Sequence, residues 1–389
     1  MKKVTAGILI GLFFGLLIAT AAYSVIKPDV EYNEFEQREL ALLPDYAARE
    51  SLNSWTRGMD AYLLDQFPVR DELINRAHEA EKNSGNSVVQ DVYVLDTDYL
   101  VGFTYPTEEY SSQLMAEGLK RLSEKASVPV VYSIVPQKNT SISEIIDDLE
   151  NTTNLLNAER TEKYLTQAGI EYIDVCTYFL ENFSAAERGE FYYKTDVHWN
   201  DRGGYEAAKD IVSELAGMGY IKEDQSPKKS DFSWVDFTGD KEYMGDLQKR
   251  FSEDPYEGEY IPYYELRDKS GLRYYKTLDG DEVPREEIVA SGLDEDILHY
   301  NAICTYNLGY LRIENDNASS DLKVLVLKDS YQCTMTDYLT AAFAEMDIVD
   351  PRNPICSIEE IMDSRDIDLV LCIYHESNVS RELIDYLNK

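Results

Sequence analysis

Basic residues are scarce in this chain. Thirty-seven Lys and Arg stand against 73 Asp and Glu, a formal net charge of −36. A surface so acidic repels nucleic-acid phosphates and anionic lipid, which excludes nucleic acid as a partner. Its plain consequence is a solvated, solubilising surface, and a neutral substrate or a basic partner suits it better than an anion. Cysteine is sparse as well. Cys176, Cys304, Cys333, Cys356 and Cys372 are odd in number and form neither a CxxC pair nor a metal-spaced set with His. Cys176 and Cys372 sit in apolar, strand-like runs and read as small buried hydrophobes. The spacing selects no disulfide pair. Missing too are GxSxG, HExxH and the phosphate-binding GxxxxGK[ST]. His375-Glu376 lacks the second His of a zinc helix. Asp196, His198 and His375 are the alternative set of metal ligands, but the expectation is no metal and no cofactor. No internal repeat or low-complexity tract occurs.

What is present starts with enough apolar residue, 44% of 389, to bury a sizeable core in one large domain or two smaller ones. There are 30 Tyr. Their rings stack on sugar faces, but Tyr is equally at home in strands. At the N-terminus, Lys2-Lys3 precede an uncharged, largely apolar run from Val4 to Ile26. About 20 apolar residues span a bilayer and flanking positive residues stay inside, so the run is expected to be a single-pass anchor with the rest of the chain outside the cytoplasmic membrane. A cleaved signal peptide is the competing reading, because Ala19-Thr20-Ala21 resembles a small-residue cleavage site and would release a secreted protein.

Beyond Pro28, Leu52, Trp55, Met59, Tyr62 and Leu63 recur at helical steps within Ser51 to Lys82, interrupted at Phe67-Pro68. This predicts a helical neck. Val92 to Leu95 and Tyr99 to Val101 read as short strands around an Asp96-Thr97-Asp98 turn. Thereafter strands at Val128–Val135, Ile170–Val175, Leu322–Leu327, Asp347–Val349 and Asp368–Tyr374 alternate with helical patterns. These include Ser111–Ala126, Ile142–Ala168, a helix from Gly203, Thr334–Glu345, Ile358–Met362 and Arg381–Leu387. The alternation predicts an α/β fold with a parallel sheet. From about Ile221 to Ser320 the texture changes: Tyr256, Tyr260, Tyr263, Tyr264, Tyr274 and Tyr275 interleave with charge, and turn signals replace helical period. A β-rich insertion flanking the site and contributing to glycan binding is expected there. The segments are thus 1–27, anchor or signal; 28–90, helical neck; and 91–389, the α/β domain with its insertion at about 221–320.

In an open parallel sheet, functional groups gather beyond the carboxyl ends of the strands. Lys328-Asp329-Ser330 ends one strand and Tyr374-His375-Glu376-Ser377-Asn378 another, while Thr195-Asp196-Val197-His198-Trp199-Asn200 leads into a helix of the same fold. An Asp two residues before a His can hold the imidazole through one nitrogen while the other faces a serine hydroxyl. Ser330, His198 and Asp196 are therefore the candidate nucleophile, base and orienting acid. His375 ranks behind His198, since no acid precedes it at the matching spacing.

Thr195-Asp196-Val197-His198-Trp199-Asn200 resembles the DHHW motif of bacterial surface proteins, with Val197 where the motif has its first His. Asp-x-His-Trp followed by a strand ending in Asp-Ser resembles the alginate O-acetyltransferases of the SGNH hydrolase-like superfamily, in circularly permuted order. The resemblance extends over most of the chain, including Glu36-Gln37-Arg38, Asp65-Gln66-Phe67-Pro68-Val69-Arg70 and Pro136-x-Lys138. It implies a flavodoxin-like, three-layer domain with Ser330, His198 and Asp196 as its triad. Asn378 and the Ser330 backbone N–H are the candidate oxyanion donors. Lys138 is a candidate pocket charge, and Trp199 packs the loop or walls the pocket. Lys328 stands where the superfamily's serine block usually has Gly. The expected function is extracytoplasmic O-acyl transfer, acetyl first, to an envelope polysaccharide, fed by a membrane partner that hands acyl groups outward. An esterase using the same triad and a non-catalytic glycan-binding surface protein are the alternatives.

Overall fold

The computed structural model describes residues 2–33, 38–47, 49, 51–84, 88–89, 91–93, 99–145, 152–250, 258–289, 292–302 and 304–388. Glu36, Gln37, Val94, Leu95, the Asp96-Thr97-Asp98 turn and Tyr256, named above, lie outside these residues. The chain forms two units, Met1–Gln90 with Gln248–Asp254, and Asp91–Leu247 with Pro255–Lys389.

The first unit is helical. Helices α1 (Lys2–Ile26), α2 (Leu52–Asp65) and α3 (Arg70–Asn83) follow one another, and the break between α2 and α3 falls at Phe67-Pro68. Ser51 starts α2 by accepting the Ser54 N–H, while Ser54 returns a bond to the Ser51 N–H. Tyr62 is fully buried and donates its hydroxyl to the Ser24 carbonyl at 2.7 Å, tying α2 to the end of α1. Asp65 and Gln66 clasp the intervening segment through the Ala41 N–H and the Val30 carbonyl. Among the described residues no helix is long and apolar enough to cross a membrane. The structure therefore lends no support to α1 as a transmembrane helix.

The second unit is an α/β fold around a seven-stranded sheet. Its elements are α4 (Glu109–Ala126), β1 (Val130–Val135), α5 (Thr152–Ala168), β2 (Glu171–Asp174), α6 (Asp201–Gly217), β3 (Phe232–Asp236), β4 (Pro262–Leu266), β5 (Leu272–Tyr275), β6 (Tyr310–Asn315), β7 (Lys323–Lys328), α7 (Thr336–Ala342), β8 (Glu345–Val349), α8 (Ile358–Ser364), β9 (Leu369–His375) and α9 (Arg381–Leu387). The sheet order is β5-β6-β8-β7-β9-β1-β2. The pairings from β8 through β2 are parallel, and β5 and β6 close one edge antiparallel. The inner strands β1, β7, β8 and β9 are buried on both faces, as their continuous apolar runs require. Successive residues alternate between two cores. Val324 and Val326 of β7 with Leu369, Leu371 and Ile373 of β9 face α6 and α7; Leu325 and Leu327 with Val370, Cys372 and Tyr374 face α4, α5, α8 and α9.

Within the β-rich insertion, at about 221–320, β5 and β6 belong to the central sheet, and β3 and β4 pair antiparallel with each other. Three of its six named tyrosines are core residues. Tyr264 and Tyr274 are buried where β4 and β5 meet α6 and α7, and Tyr263 is buried in a separate cluster with Ile261, Leu298 and Tyr300. They present no face to a sugar.

Because β1, β7 and β9 are parallel, Gln137-Lys138, Asp329-Ser330 and Glu376-Asn378 emerge at one sheet end. α6 is capped by Asn200, whose side chain accepts the Arg202 and Gly203 N–H groups, and buries Ala207, Ala208, Ile211 and Leu215 on the sheet. Its first turn packs on the residues after Ser330 through Gly204, where a Cβ would lie 2.1 Å from Thr334 Oγ1. Gly204→Ala is expected to destabilise the protein by about 1–3 kcal/mol through overpacking. Chemical denaturation measures it, and an unchanged midpoint would show that the helix yields instead.

Candidate functional site

Ser330 follows β7 after a single residue, Asp329, and opens a 3₁₀ turn, Ser330–Met335. Asp329 caps that turn by accepting the Tyr331 N–H at 3.0 Å, and its other oxygen accepts the His375 N–H and the Asn378 Nδ2–H, both at 3.0 Å. These bonds set the serine's exit from the strand. The Ser330 hydroxyl lies 2.7 Å from His198 Nε2, and His198 Nδ1 lies 2.7 Å from Asp196 Oδ1. With Asp196 ionised, Nδ1 carries the proton and donates it, leaving Nε2 to accept the serine O–H. The structure thus brings together Ser330, His198 and Asp196, 132 residues apart in sequence between His198 and Ser330.

Asp196 is fully buried. Burial pushes its carboxyl upward, but the His198 charge and hydrogen bonds from the His198 ring, the Asp246 N–H and the His198 N–H overcome this and hold it well below the usual carboxylate range. Oδ2 is the atom that accepts from Asp246 N at 2.9 Å, with the Tyr243 hydroxyl 3.4 Å away. His198 is 6% exposed. Burial pulls it down, but the Asp196 charge and bond win and its value is raised.

The other sequence candidates fall elsewhere. Trp199 has no exposed surface and donates Nε1–H to the Tyr331 carbonyl at 2.9 Å, so it packs the loop and does not wall a pocket. Lys138 is not an open pocket charge. It is 3% exposed and donates to the Leu100 and Lys194 carbonyls at 2.8 and 3.1 Å, beneath the Asp196 loop. Burial, opposed by the Asp196 and Glu259 charges, brings it down to about 8. Asn378 sits beside Ser330's cap, with one amide hydrogen on Asp329. The Ser330 N–H meets no acceptor among the described residues. Lys328, in place of Gly, turns away into a buried cluster with Asn307, Cys333 and Asp350. His375 touches neither Ser330 nor His198 by hydrogen bond, and its Nδ1 accepts the Ser377 N–H. All five cysteines are free thiols.

Sequence reasoning missed the groups that the insertion sends to the Asp196 loop. Glu259, 1% exposed, accepts the Lys194 and Thr195 N–H groups at 2.8 and 3.3 Å. Gly245 lets two backbones meet, since a Cβ there would lie 2.1 Å from the Thr195 carbonyl oxygen. Tyr300 lies flat on the His198 ring. No motif marks these residues. One further grouping, Asp196, His198 and Asp246, brings possible ligand atoms within 4.8 Å of one another. Two of its members already bond each other across Nδ1 and Oδ1, so the donor set serves the His and leaves a cation nothing better.

With this geometry in hand, the comparisons with known proteins are specific. Residues 105–279 match the family model described as the SGNH hydrolase-like domain of the acetyltransferase AlgX. That stretch is similar to an SGNH hydrolase-like domain, and the fold of the second unit agrees with it. Bacillus cereus PatB1 superposes with a TM-score of 0.63 at 21% identity, over 76% of this chain and 99% of PatB1. Its structure with a sulfonyl adduct gives 0.63 at 20% over the same shares. A DHHW family protein from Eubacterium siraeum DSM 15702 gives 0.56 at 18%, over 76% of this chain and 94% of that one. No curated protein matches the sequence. The resemblance to DHHW proteins and to SGNH-like acetyltransferases, read from Asp196 to Asn200 and from Val324 to Ser330, is borne out.

The raised His198 gives a pH prediction. Its protonated form adds stability that is present below the ordinary histidine value of about 6.5 and is lost as pH rises through the higher folded value. Asp196→Asn removes the group that raises it and leaves burial to pull it down. The His198 titration followed by NMR is expected to move from above to below that ordinary value. An unmoved titration would show that another group holds the proton.

Proposed function

We propose that this protein is an extracytoplasmic O-acyltransferase, acetyl first, acting on a cell-envelope polysaccharide through Ser330, His198 and Asp196. The observation that carries the reading is the pair of 2.7 Å bonds joining the three side chains at the end of β7. A serine hydroxyl is a weak nucleophile at its free pKa and needs such a base. In the first half-reaction His198 Nε2 takes the Ser330 proton as Oγ attacks the acyl carbonyl. The tetrahedral oxyanion is met by the Ser330 N–H and the second Asn378 amide hydrogen. His198 then returns the proton to the leaving group. In the second half-reaction it takes the proton of a sugar hydroxyl, which attacks the acyl-serine and regenerates Ser330. Asp196 keeps the imidazole in the required tautomer and balances its charge, as a triad acid does.

The acetyltransferase description of the matching family model supports transfer over hydrolysis. An esterase would present water in place of the sugar hydroxyl to the same intermediate. Neutral sugars also fit a chain of net charge −36 better than anionic acceptors do.

Ser330→Ala is expected to abolish labelling by a fluorophosphonate or sulfonyl fluoride probe without changing the fold. Loss of either Ser330 or His198 is expected to lower acyl transfer by about 10⁴ or more, and the double variant to be little worse, because the three act as a unit. Retention of transfer by Ser330→Ala near the parent rate would sink the assignment.

Location belongs to the same proposal. The support is Lys2-Lys3 before the uncharged run Val4–Ile26. Residues from about 30 onward then face outside, with a membrane partner supplying acyl groups. Protease shaving of intact cells is expected to digest the second unit. Protection of that unit would overturn the topology.

A further inference from the structure

We infer that Tyr300, delivered by the insertion, is the positioning residue that sets both the basicity of His198 and the seating of Ser330. The inference rests on the acyl-serine reading above. Two contacts carry it. The Tyr300 ring stacks on the His198 imidazole with centroids 3.8 Å apart and planes 7° from parallel. The Tyr300 hydroxyl donates to the Ser330 carbonyl at 2.7 Å. One side chain therefore touches the base through its face and the nucleophile's backbone through its tip. Tyr300 is 4% exposed, so neither contact is shared with bulk water.

The chemistry follows from where charge develops. When Ser330 gives up its proton, His198 becomes an imidazolium under an electron-rich ring face. A cation over such a face is stabilised, more strongly when desolvated. The same ring keeps water from the imidazole edge. At its tip, the hydroxyl fixes the Ser330 peptide at the first position of the 3₁₀ turn, where the Ser330 carbonyl has left the β7 ladder. That peptide orients Oγ. Tyr300 is itself held: Cys304, one turn on, donates its thiol to the Tyr300 carbonyl at 3.1 Å, and Thr305 bonds the Cys333 carbonyl and the Thr336 hydroxyl. The insertion thus grips both sides of the serine turn.

Several other groups face His198. Asp196 and Asp246 raise its value and Cys333 acts in the same direction, while Tyr331 lies tilted 5.3 Å away and His375 stands behind it against Asp329. None of them stacks on the ring, so removal of Tyr300's face is separable from their effects.

The test compares the full chain with Tyr300→Phe and Tyr300→Leu, using burst acylation by p-nitrophenyl acetate across pH. His198 is followed by NMR, with Ser330→Ala as the inert control and thermal unfolding as the check on folding. Tyr300→Phe keeps the stack and loses the hydroxyl. Its acylation is expected to fall about 2- to 10-fold, the range for one lost hydrogen bond, with the pH inflection unchanged. Tyr300→Leu keeps an apolar cover but loses the ring face. Its acylation is expected to fall about 3- to 30-fold further, with the His198 inflection moved down by roughly 0.5 to 1 unit. If the parent acylates and both variants match it in rate and inflection, the role of Tyr300 is refuted while the triad stands. Should Leu fail to fold, an unchanged acylation rate in the Phe variant alone would refute the seating role, and an inflection that shifted in Phe would refute the assignment of basicity to the ring. If the parent forms no acyl-serine, or Ser330→Ala still does, both readings fall together.

Discussion

The site depends on one buried charge. Asp196 sits where water does not reach it, and moving a carboxylate into such a place costs several kcal/mol unless the surroundings replace its hydration. Here four donors do so: the His198 ring, the His198 and Asp246 N–H groups, and at longer range the Tyr243 hydroxyl. Two of the four come from the insertion. The loop carrying Asp196 is in turn held by Lys138 below and Glu259 beside it. The chain thus spends buried polar groups on keeping one carboxylate ionised and still, and the tautomer and orientation of His198 follow from that.

This dependence explains why the sheet was more legible than its surroundings. Apolar runs such as Val324–Leu327 and Leu369–Ile373 are buried on both faces, so composition alone identifies them as inner parallel strands, and their carboxyl ends locate the site. That Asp196, His198 and Ser330 meet was legible because an Asp two residues before a His, with a serine just past a strand end, constrains residue type and local spacing, and the resemblance added their order. Lys138 and Trp199 show the opposite case. Their types and positions are compatible with a pocket, but only packing decides whether an ammonium faces solvent or donates to two carbonyls under a loop. For Lys138 the strand end at Val135 directs the next turn inward, toward Leu100 and Lys194.

The insertion was the hardest to read, for a physical reason. Tyrosine satisfies two demands at once, an apolar ring and a polar tip, so Tyr density alone does not separate a sugar platform from a core. Tyr264 fills the core and reaches the Thr334 carbonyl with its hydroxyl; Tyr300 stacks on His198 and reaches the Ser330 carbonyl. Both hydroxyls end on the turn that follows the serine. Long-range pairing of this kind leaves no local period, since Tyr264 and Tyr300 find partners 70 and 30 residues away.

The serine turn is therefore assembled from both directions of the chain. β7 delivers it, Asp329 caps it, and α6 packs on it through Gly204, while the insertion supplies Tyr264, Tyr300 and Thr305 to its carbonyls. A helical turn leaves its last carbonyls without partners of its own, and here Thr305 and Tyr264 meet those of Cys333 and Thr334. An insertion that also contributes two strands to the central sheet cannot be removed without opening the sheet edge at β8. Stability and the seating of Ser330 are thus coupled through one segment. A change that loosens β5 or β6 is expected to reach the Ser330 turn without touching it.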